Sequence, residues 1–195
     1  MNVGCAILGA GAGTRFRGDG SKLIVRIRGK ALLAHAIDAA SASLASRCSL
    51  ILGAAFESVM ARVDARRCAI IVNADWEDGI ASSLRCAIAA HADDDGCILM
   101  LGDQPNVTPG DLNALIARFR ASQDSIVALH SGKVWGAPVL FGRSDYADVM
   151  RLTGDAGAKR YAQTQGRRLL FVEASRPDTF DDVDRTADVV RQAPA

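Results

Sequence analysis

Apolar residues along the chain fall into seven short runs separated by mixed or polar segments. The runs are rich in Val, Ile and Leu, and they occupy residues 3–9, 48–53, 68–73, 96–102, 125–130, 138–141 and 169–173. Runs of this length without apolar–polar alternation are typical of strands that are buried on both faces of a sheet. The pattern therefore predicts seven mostly buried strands.

Between these runs the apolar residues recur at helical spacing. Segments 31–45 and 80–91 each repeat apolar residues every three or four positions, and Pro109 followed by Asp111 is typical of the start of a third helix. Alternating strands and helices predict an α/β fold, a three-layer α/β/α arrangement with a mainly parallel sheet. The polar tail, residues 185–195, is predicted to be a peripheral helix.

Length and composition narrow the class of protein. The chain has 195 residues, of which 49% are hydrophobic and 23% charged, and its formal net charge is +1. These values predict one domain spanning residues 1–195 and no nucleic-acid partner. No apolar stretch approaches the roughly 20 residues of a membrane span, and residues 1–4 carry no basic signal region, so we expect no membrane partner and a cytoplasmic location. Five cysteines form no C-x-x-C pair, and four lie within apolar runs, which favours a role as small core residues.

The first apolar run ends in a glycine-rich segment, LGAGAGTR (residues 8–15). Glycines after a strand expose consecutive backbone N–H groups that can bind phosphate. The dinucleotide-binding pattern G-x-G-x-x-G is excluded because residue 14 is Thr, and no Gly-Lys-Ser/Thr of a P-loop occurs. Arg15 and Lys22 are suited to neutralising a triphosphate, although a tight turn with two solvated cations remains the alternative.

Five collinear blocks resemble the MobA-like nucleotidyltransferases, and within them the molybdenum cofactor cytidylyltransferases. They are LGAGAGTR followed by Lys22, NADWEDGIASSL (73–84), LGDQP (101–105), GDAGAK (154–159) and DDVDRTADV (181–189). The resemblance implies a Rossmann-like nucleotidyltransferase fold. It also implies Mg²⁺-dependent transfer of CMP from CTP to the terminal phosphate of a molybdopterin-type cofactor, with release of pyrophosphate.

The resemblance leaves alternatives for the substrates. Ala10 and the GDQP block favour CTP over GTP, whereas Ala137 stands where the family has a histidine near the acceptor. Another nucleotide, another phosphorylated acceptor, or a non-catalytic protein that binds molybdenum cofactor are the alternatives. A molybdoenzyme or its chaperone is an expected transient partner.

The resemblance assigns residues to each role. Arg15, Lys22 and Asp103 are the expected catalytic residues. The expected nucleotide-binding residues are Leu8, Ala10, Gly11, Ala12, Gly13, Thr14, Arg15, Lys22, Asn73, Gly79, Ser82, Ser83 and Asp103. The serines and Asn73 follow a strand and precede a helix, where ordinary turn and cap hydrogen bonds are the alternative.

Mg²⁺ prefers carboxylate and phosphate oxygens as ligands. Asp103 directly follows a buried run, and Asp155 lies in the TGDAG segment, so these two residues are the expected metal ligands. The alternative is structural: Asp103 would cap the turn before Pro105, and Asp155 would cap a helix that begins near Ala156.

Overall fold

The structure is a computed structural model that describes residues 1–13, 21–122, 124–183 and 188. The strands are β1 (Val3–Gly9), β2 (Arg26–Ile27), β3 (Lys30–Ala31), β4 (Cys48–Leu52), β5 (Ala69–Val72), β6 (Gly96–Leu101), β7 (Ile126–Ser131), β8 (Val134–Gly142) and β9 (Leu169–Glu173). The α-helices are α1 (Leu32–Ser41), α2 (Phe56–Met60), α3 (Ile80–Ala90), α4 (Pro109–Ala121), α5 (Tyr146–Val149) and α6 (Ala158–Thr164).

Seven of these strands form one sheet in the order β5-β4-β1-β6-β8-β7-β9. Strand β8 is antiparallel to both of its neighbours, β6 and β7, while the remaining pairs are parallel. The carboxyl ends of β1, β4, β5 and β6 therefore meet at the same edge of the sheet. Ligands of open α/β folds bind at this edge.

Helices cover both faces of the sheet and make three layers. Alternate residues of β1 enter different cores: Cys5 and Ile7 pack with residues of α1 and α4, whereas Ala6 and Leu8 pack with residues of α3 and α6. Both faces of the central strand are thus buried, which explains why its sequence is continuously apolar. The predicted three-layer α/β/α fold with a mainly parallel sheet is confirmed.

The seven predicted strands and the three helices predicted between them are present, with shifted boundaries. Strand β8 is longer than the predicted run, and the third predicted helix begins as expected at Pro109. The Thr108 hydroxyl accepts from the Asp111 backbone N–H, and the Asp111 carboxylate accepts from the Thr108 backbone N–H. This reciprocal capping satisfies backbone donors at the start of α4.

Several short elements were not predicted from the sequence. They are the hairpin of β2 and β3 and the helices α2 and α5, none longer than five residues, whereas α6 begins two residues after Ala156, near which a helix was considered. The tail predicted to be a peripheral helix lies outside the described residues, apart from residue 188. Among the described helices, none is both long and apolar enough to span a bilayer.

Candidate active site

A cavity of about 540 Å³ lies at the carboxyl ends of β1 and β6, bordered by the segment that follows β5. Ten of the residues predicted to bind nucleotide or metal line it: Leu8, Ala10, Gly11, Ala12, Gly13, Lys22, Gly79, Ser83, Asp103 and Asp155. Thr14 and Arg15 lie outside the described residues. The cavity brings together segments that are more than 140 residues apart in the sequence.

The glycine-rich loop begins where β1 ends and packs closely on the loop after β4. The Ala10 carbonyl accepts a hydrogen bond from the Ala54 backbone N–H at 3.1 Å. A Cβ atom on Gly53 would lie 2.7 Å from that same carbonyl oxygen, so Gly53 allows the two loops to touch. Gly13 has φ +62°, a conformation that glycine adopts without steric cost. The loop therefore places main-chain atoms, rather than bulky side chains, against the cavity.

Two residues that line the cavity, Lys22 and Asp103, form an ion pair. The Lys22 Nζ atom donates to the Asp103 Oδ2 atom at 2.6 Å, and both side chains are less than 20% exposed. The other carboxylate oxygen, Asp103 Oδ1, is buried and accepts no hydrogen bond from any residue that the structure describes. The turn-capping alternative for Asp103 is therefore not what the carboxylate does. A buried carboxylate oxygen without a donor is a strong ligand for a cation, because burial has removed the water that would otherwise solvate it.

Asp182 is a cavity residue that was not assigned a role from the sequence. Its Oδ1 atom accepts from the Gln104 Nε2 atom at 2.8 Å, and the backbone N–H of the next residue, Val183, donates to the Asp103 carbonyl at 3.2 Å. Val183 is fully buried beside Ile27. The segment after β9 thus returns to the cavity and adds another carboxylate. The DDVD sequence was the available signal for Asp182, but its large separation along the chain from the other cavity residues gave no indication that it contacts them.

Gly79 holds the Asp155 loop against the start of α3. It has φ +89° and ψ 178°, and a Cβ atom there would lie 2.5 Å from the Gly154 carbonyl and 2.8 Å from the Asp155 Oδ1 atom. The Ala81 backbone N–H donates to the Gly154 carbonyl at 3.0 Å. Helix α6 begins at Ala158 with no side-chain cap, so Asp155 does not take the capping role that was its alternative.

Asn73 and Ser82 lie behind the cavity wall instead of lining it. The Asn73 Nδ2 atom donates to the hydroxyls of Ser82 at 2.8 Å and Ser83 at 3.1 Å, and its Oδ1 atom accepts from the Asp75 backbone N–H. The Ser82 hydroxyl donates to the Gly79 carbonyl at 2.8 Å. These contacts match the turn and cap alternative for Asn73 and Ser82. Ser83 does line the cavity, together with Trp76, which is partly exposed.

Negative charge dominates the cavity among the residues that the structure describes. Its charged lining residues are one cation and four carboxylates: Lys22, Glu77, Asp103, Asp155 and Asp182. The family histidine position, Ala137, lies in β8 and does not line the cavity. Asp103 is half-buried, whereas Glu77, Asp155 and Asp182 are exposed. At short range these four carboxylates would repel a polyphosphate unless a cation lay between them.

Comparisons with known proteins agree with this geometry. Residues 5–169 match the family model described as MobA-like NTP transferase domain. The chain is 30% identical to Nicotine blue oxidoreductase from Paenarthrobacter nicotinovorans over 194 residues, covering 95% of this chain and 93% of that protein.

Two solved structures have the same fold along nearly their whole length. The crystal structure of Rv0371c from Mycobacterium tuberculosis H37Rv superposes with a TM-score of 0.85 at 30% identity, covering 100% of this chain and 98% of that one. The structure of Rv0371c in complex with manganese gives a TM-score of 0.80 at 29% identity, with 98% of both chains covered.

Proposed function

Because the chain belongs to the MobA-like NTP transferase family, we propose that it is a Mg²⁺-dependent nucleotidyltransferase that moves CMP from CTP onto the terminal phosphate of a molybdopterin-type cofactor. Pyrophosphate is the other product. The observation that carries this proposal is the charge pattern of the cavity, where four carboxylates and one lysine of the described residues line the same space as the glycine-rich loop from Ala10 to Gly13. That combination suits a metal–polyphosphate complex better than a bare anion.

The residues present fit a divalent cation. Asp103 contributes a buried oxygen without a hydrogen-bond donor, and Asp155 and Asp182 add carboxylates in the same cavity. We assign Asp103 and Asp155 as the metal-binding residues, with Asp182 as a further carboxylate of the set. The described residues contain no cluster of three or more His, Cys, Asp or Glu already arranged around a metal position. Phosphate oxygens would therefore complete the coordination, as is usual for Mg²⁺. When bound, the cation would neutralise charge on the phosphates.

The chain's own groups supply binding and alignment. Main-chain amides of the loop from Ala10 to Gly13 would hold the phosphates, and the Lys22 ammonium would balance charge on the departing pyrophosphate. Arg15 is proposed to assist Lys22. Little covalent chemistry is required, because displacement at a phosphate depends mainly on alignment and charge neutralisation.

The base is proposed to bind beside Trp76 and Ser83, at the wall formed by the segment that follows β5. An indole face can pack on a base, and a hydroxyl can bond to its edge. Asn73 and Ser82 would act indirectly, because their hydrogen bonds hold Ser83 and Gly79 in position. The preference for CTP over GTP rests on the family resemblance of Ala10 and the GDQP block.

The acceptor is the less constrained substrate. Ala137 removes the imidazole that the family places on the acceptor side, so another phosphorylated acceptor is the principal alternative. A second candidate function is an oxidation–reduction reaction, and one observation favours it: the relative that is 30% identical along nearly the whole chain is named Nicotine blue oxidoreductase. A cytoplasmic location and transient delivery to a molybdoenzyme or its chaperone complete the proposal.

The decisive experiment is a matrix of CTP, GTP, ATP and UTP against molybdopterin and simpler phosphorylated acceptors, with Mg²⁺ or Mn²⁺, read as pyrophosphate release. The proposal predicts release with CTP and molybdopterin. Asp103→Asn should lower the rate by about 100-fold or more, whereas Asp93→Asn, an exposed residue outside the cavity, should not.

Two outcomes would contradict the proposal. Equal rates for Asp103→Asn and the unsubstituted protein would remove the metal assignment. Absence of pyrophosphate from every pair, with the folded protein still binding molybdopterin, would favour a non-catalytic cofactor-binding protein. Lys22→Ala gives a further check, since normal pyrophosphate release would exclude Lys22 from the mechanism.

A further inference from the structure

Three cysteines lie side by side at the amino-terminal ends of β1, β4 and β5, on the opposite edge of the sheet from the cavity. Cys5 is the register partner of Cys48, and the β4–β5 pairing begins at Ser49 and Ala69, which places Cys48 beside Cys68. The Sγ atoms of Cys48 and Cys68 are 2.7 Å apart. That distance is well inside the contact distance of two non-bonded sulfur atoms and about 0.7 Å longer than a disulfide bond.

We propose that Cys48 and Cys68 form a reversible dithiol–disulfide site that links the edge strand β5 to β4 when the protein meets a peroxide. The two strands are parallel neighbours, so the Cα atoms of facing residues are roughly 4.8 Å apart. Disulfides span Cα distances of about 4.4–6.8 Å. Linking the two sulfurs therefore needs side-chain adjustment but no separation or shift of the strands.

The other cysteines are held away from this chemistry. Cys5 is fully buried, and its thiol donates to the Met100 Sδ atom at 3.5 Å. The Cys97 thiol is also fully buried and donates to a backbone carbonyl. Cys86 lies on α3, in the helical layer on the other face of the sheet. Cys48 is partly exposed, so a small oxidant can approach the Cys48–Cys68 pair from solvent.

Cys68 is the sulfur that attacks the oxidant in this proposal, and Cys48 is the one that resolves the product. The contact with Cys48 lowers the pKa of the Cys68 thiol, and the positive charge of Arg67 favours a thiolate at either sulfur. That contact raises the pKa of the Cys48 thiol, which thus keeps its proton. A thiolate beside a thiol is the arrangement in which one sulfur attacks an oxidant and the other resolves the product.

The reaction balances with hydrogen peroxide as the two-electron oxidant. The Cys68 thiolate attacks one peroxide oxygen, the O–O bond breaks, and the second oxygen leaves as hydroxide, which takes up a proton to become water. Cys68 is then a sulfenic acid. The Cys48 sulfur displaces its hydroxyl group, forming the S–S bond and breaking the S–O bond, and the Cys48 proton leaves with that hydroxyl as the second water.

The link would act on the edge of the sheet and not on the cavity chemistry. Among the described strands β5 pairs only with β4, and the cross-link would close a loop of about 20 residues that contains α2. The thiols lie about four residues, or roughly 13 Å along the strands, from the carboxyl edge that borders the cavity. The site is therefore independent of the proposed transferase function.

Peptide mapping tests the proposal directly. Cleavage by trypsin after Arg47 and Arg67 makes Cys48 and Cys68 the first residues of separate peptides, 48–62 and 68–85. The reduced, folded protein is treated with hydrogen peroxide, its remaining thiols are alkylated, and the digest is analysed by mass spectrometry. We expect the two peptides to be joined with loss of two hydrogen atoms, and to separate again after dithiothreitol.

Variants and a folding control complete the test. Cys86→Ser should give the same joined peptide, whereas Cys68→Ser should not. If Cys68→Ser does not fold, the map of the unsubstituted protein still decides the question. The proposal is overturned if folded protein yields the two peptides alkylated separately, if they carry irreversible sulfinic acids, or if the joined peptide forms only in urea.

Discussion

Replacing Gly79 by alanine tests whether the Asp155 side of the cavity depends on one close backbone approach. At φ +89° and ψ 178° the residue occupies a region that is essentially restricted to glycine. The new Cβ atom would lie 2.5 Å from the carbonyl carbon and oxygen of Gly154. Both the local conformation and the neighbouring loop therefore oppose the substitution.

The expected cost has two parts. Holding a residue with a Cβ atom in this conformation costs about 1–3 kcal/mol. The Cβ atom would also be about 0.9 Å too close to Gly154, compared with ordinary contact at 3.4 Å. The loop must move away, which weakens the hydrogen bond from the Ala81 N–H to the Gly154 carbonyl, and that loss costs about 1 kcal/mol. The sum is about 2–4 kcal/mol, or a fall in Tm of roughly 5–15 °C for a chain of this length.

Thermal unfolding followed by circular dichroism measures this cost, with Gly166→Ala as the matched control. Gly166 also has a positive φ, +54°, but a Cβ atom there would have no atom within 4 Å. It should cost about 1 kcal/mol from backbone conformation alone. Gly79→Ala should also reduce pyrophosphate release more than Gly166→Ala does, because it displaces the Asp155 carboxylate. Equal Tm values for the two variants would refute the reasoning.

Two other buried polar groups give predictions for stability. Desolvation lowers the pKa of His91 below its ordinary value of 6.5. The unfolded chain therefore binds more protons below that pH, and the free energy of unfolding should fall as the pH decreases from 6.5 to 5. Urea titrations should show a shallower fall with pH for His91→Gln than for the control His130→Gln, and equal slopes would contradict this. Arg168 donates to both oxygens of the fully buried Asp145. Arg168→Met should therefore lower the free energy of unfolding by about 3 kcal/mol, the low end for a broken buried ion pair because the Arg168 side chain is 34% exposed. An equal effect from neighbouring Arg167→Met would show that the ion pair contributes nothing specific.

Much of the fold was readable from the sequence because burial on both faces leaves a simple pattern. Strands β1 and β6 have no solvent-facing side, so their residues form continuous apolar runs. Helix α4 was readable because Pro109 and its cap residues mark its start. The helices α2 and α5 span five residues or fewer, which is too short for a helical period to emerge.

Residues of the candidate site could be predicted from the sequence only where they belong to a short local motif. The glycine loop, Lys22 and Asp103 come from short motifs, and the structure places them around one cavity. The place of Asp182 in the cavity was not predicted from the sequence, because it depends on burial of Val183 against a hairpin that is distant along the chain. Asn73 belongs to a motif that the sequence does show. The direction of its amide, however, is determined by hydrogen bonds to Ser82 and Ser83, and the motif does not reveal them. The contact of Cys48 with Cys68 depends on strand register, which a single sequence does not display.

The Lys22–Asp103 ion pair also determines how the proposed tests should be interpreted. Removing the Lys22 ammonium would leave the Asp103 carboxylate in a site less than 20% exposed with three other acidic residues in the same cavity. Lys22→Ala therefore changes the field at the metal position as well as the charge available to the phosphates. A loss of activity in that variant alone has two explanations. Asp103→Asn keeps the shape and volume of the side chain but removes its charge and replaces one acceptor oxygen by an NH2 donor. Its effect on the dependence of rate on Mg²⁺ concentration therefore reports on the carboxylate as a cation ligand, which the rate at a single Mg²⁺ concentration does not separate from the loss of the ion pair with Lys22.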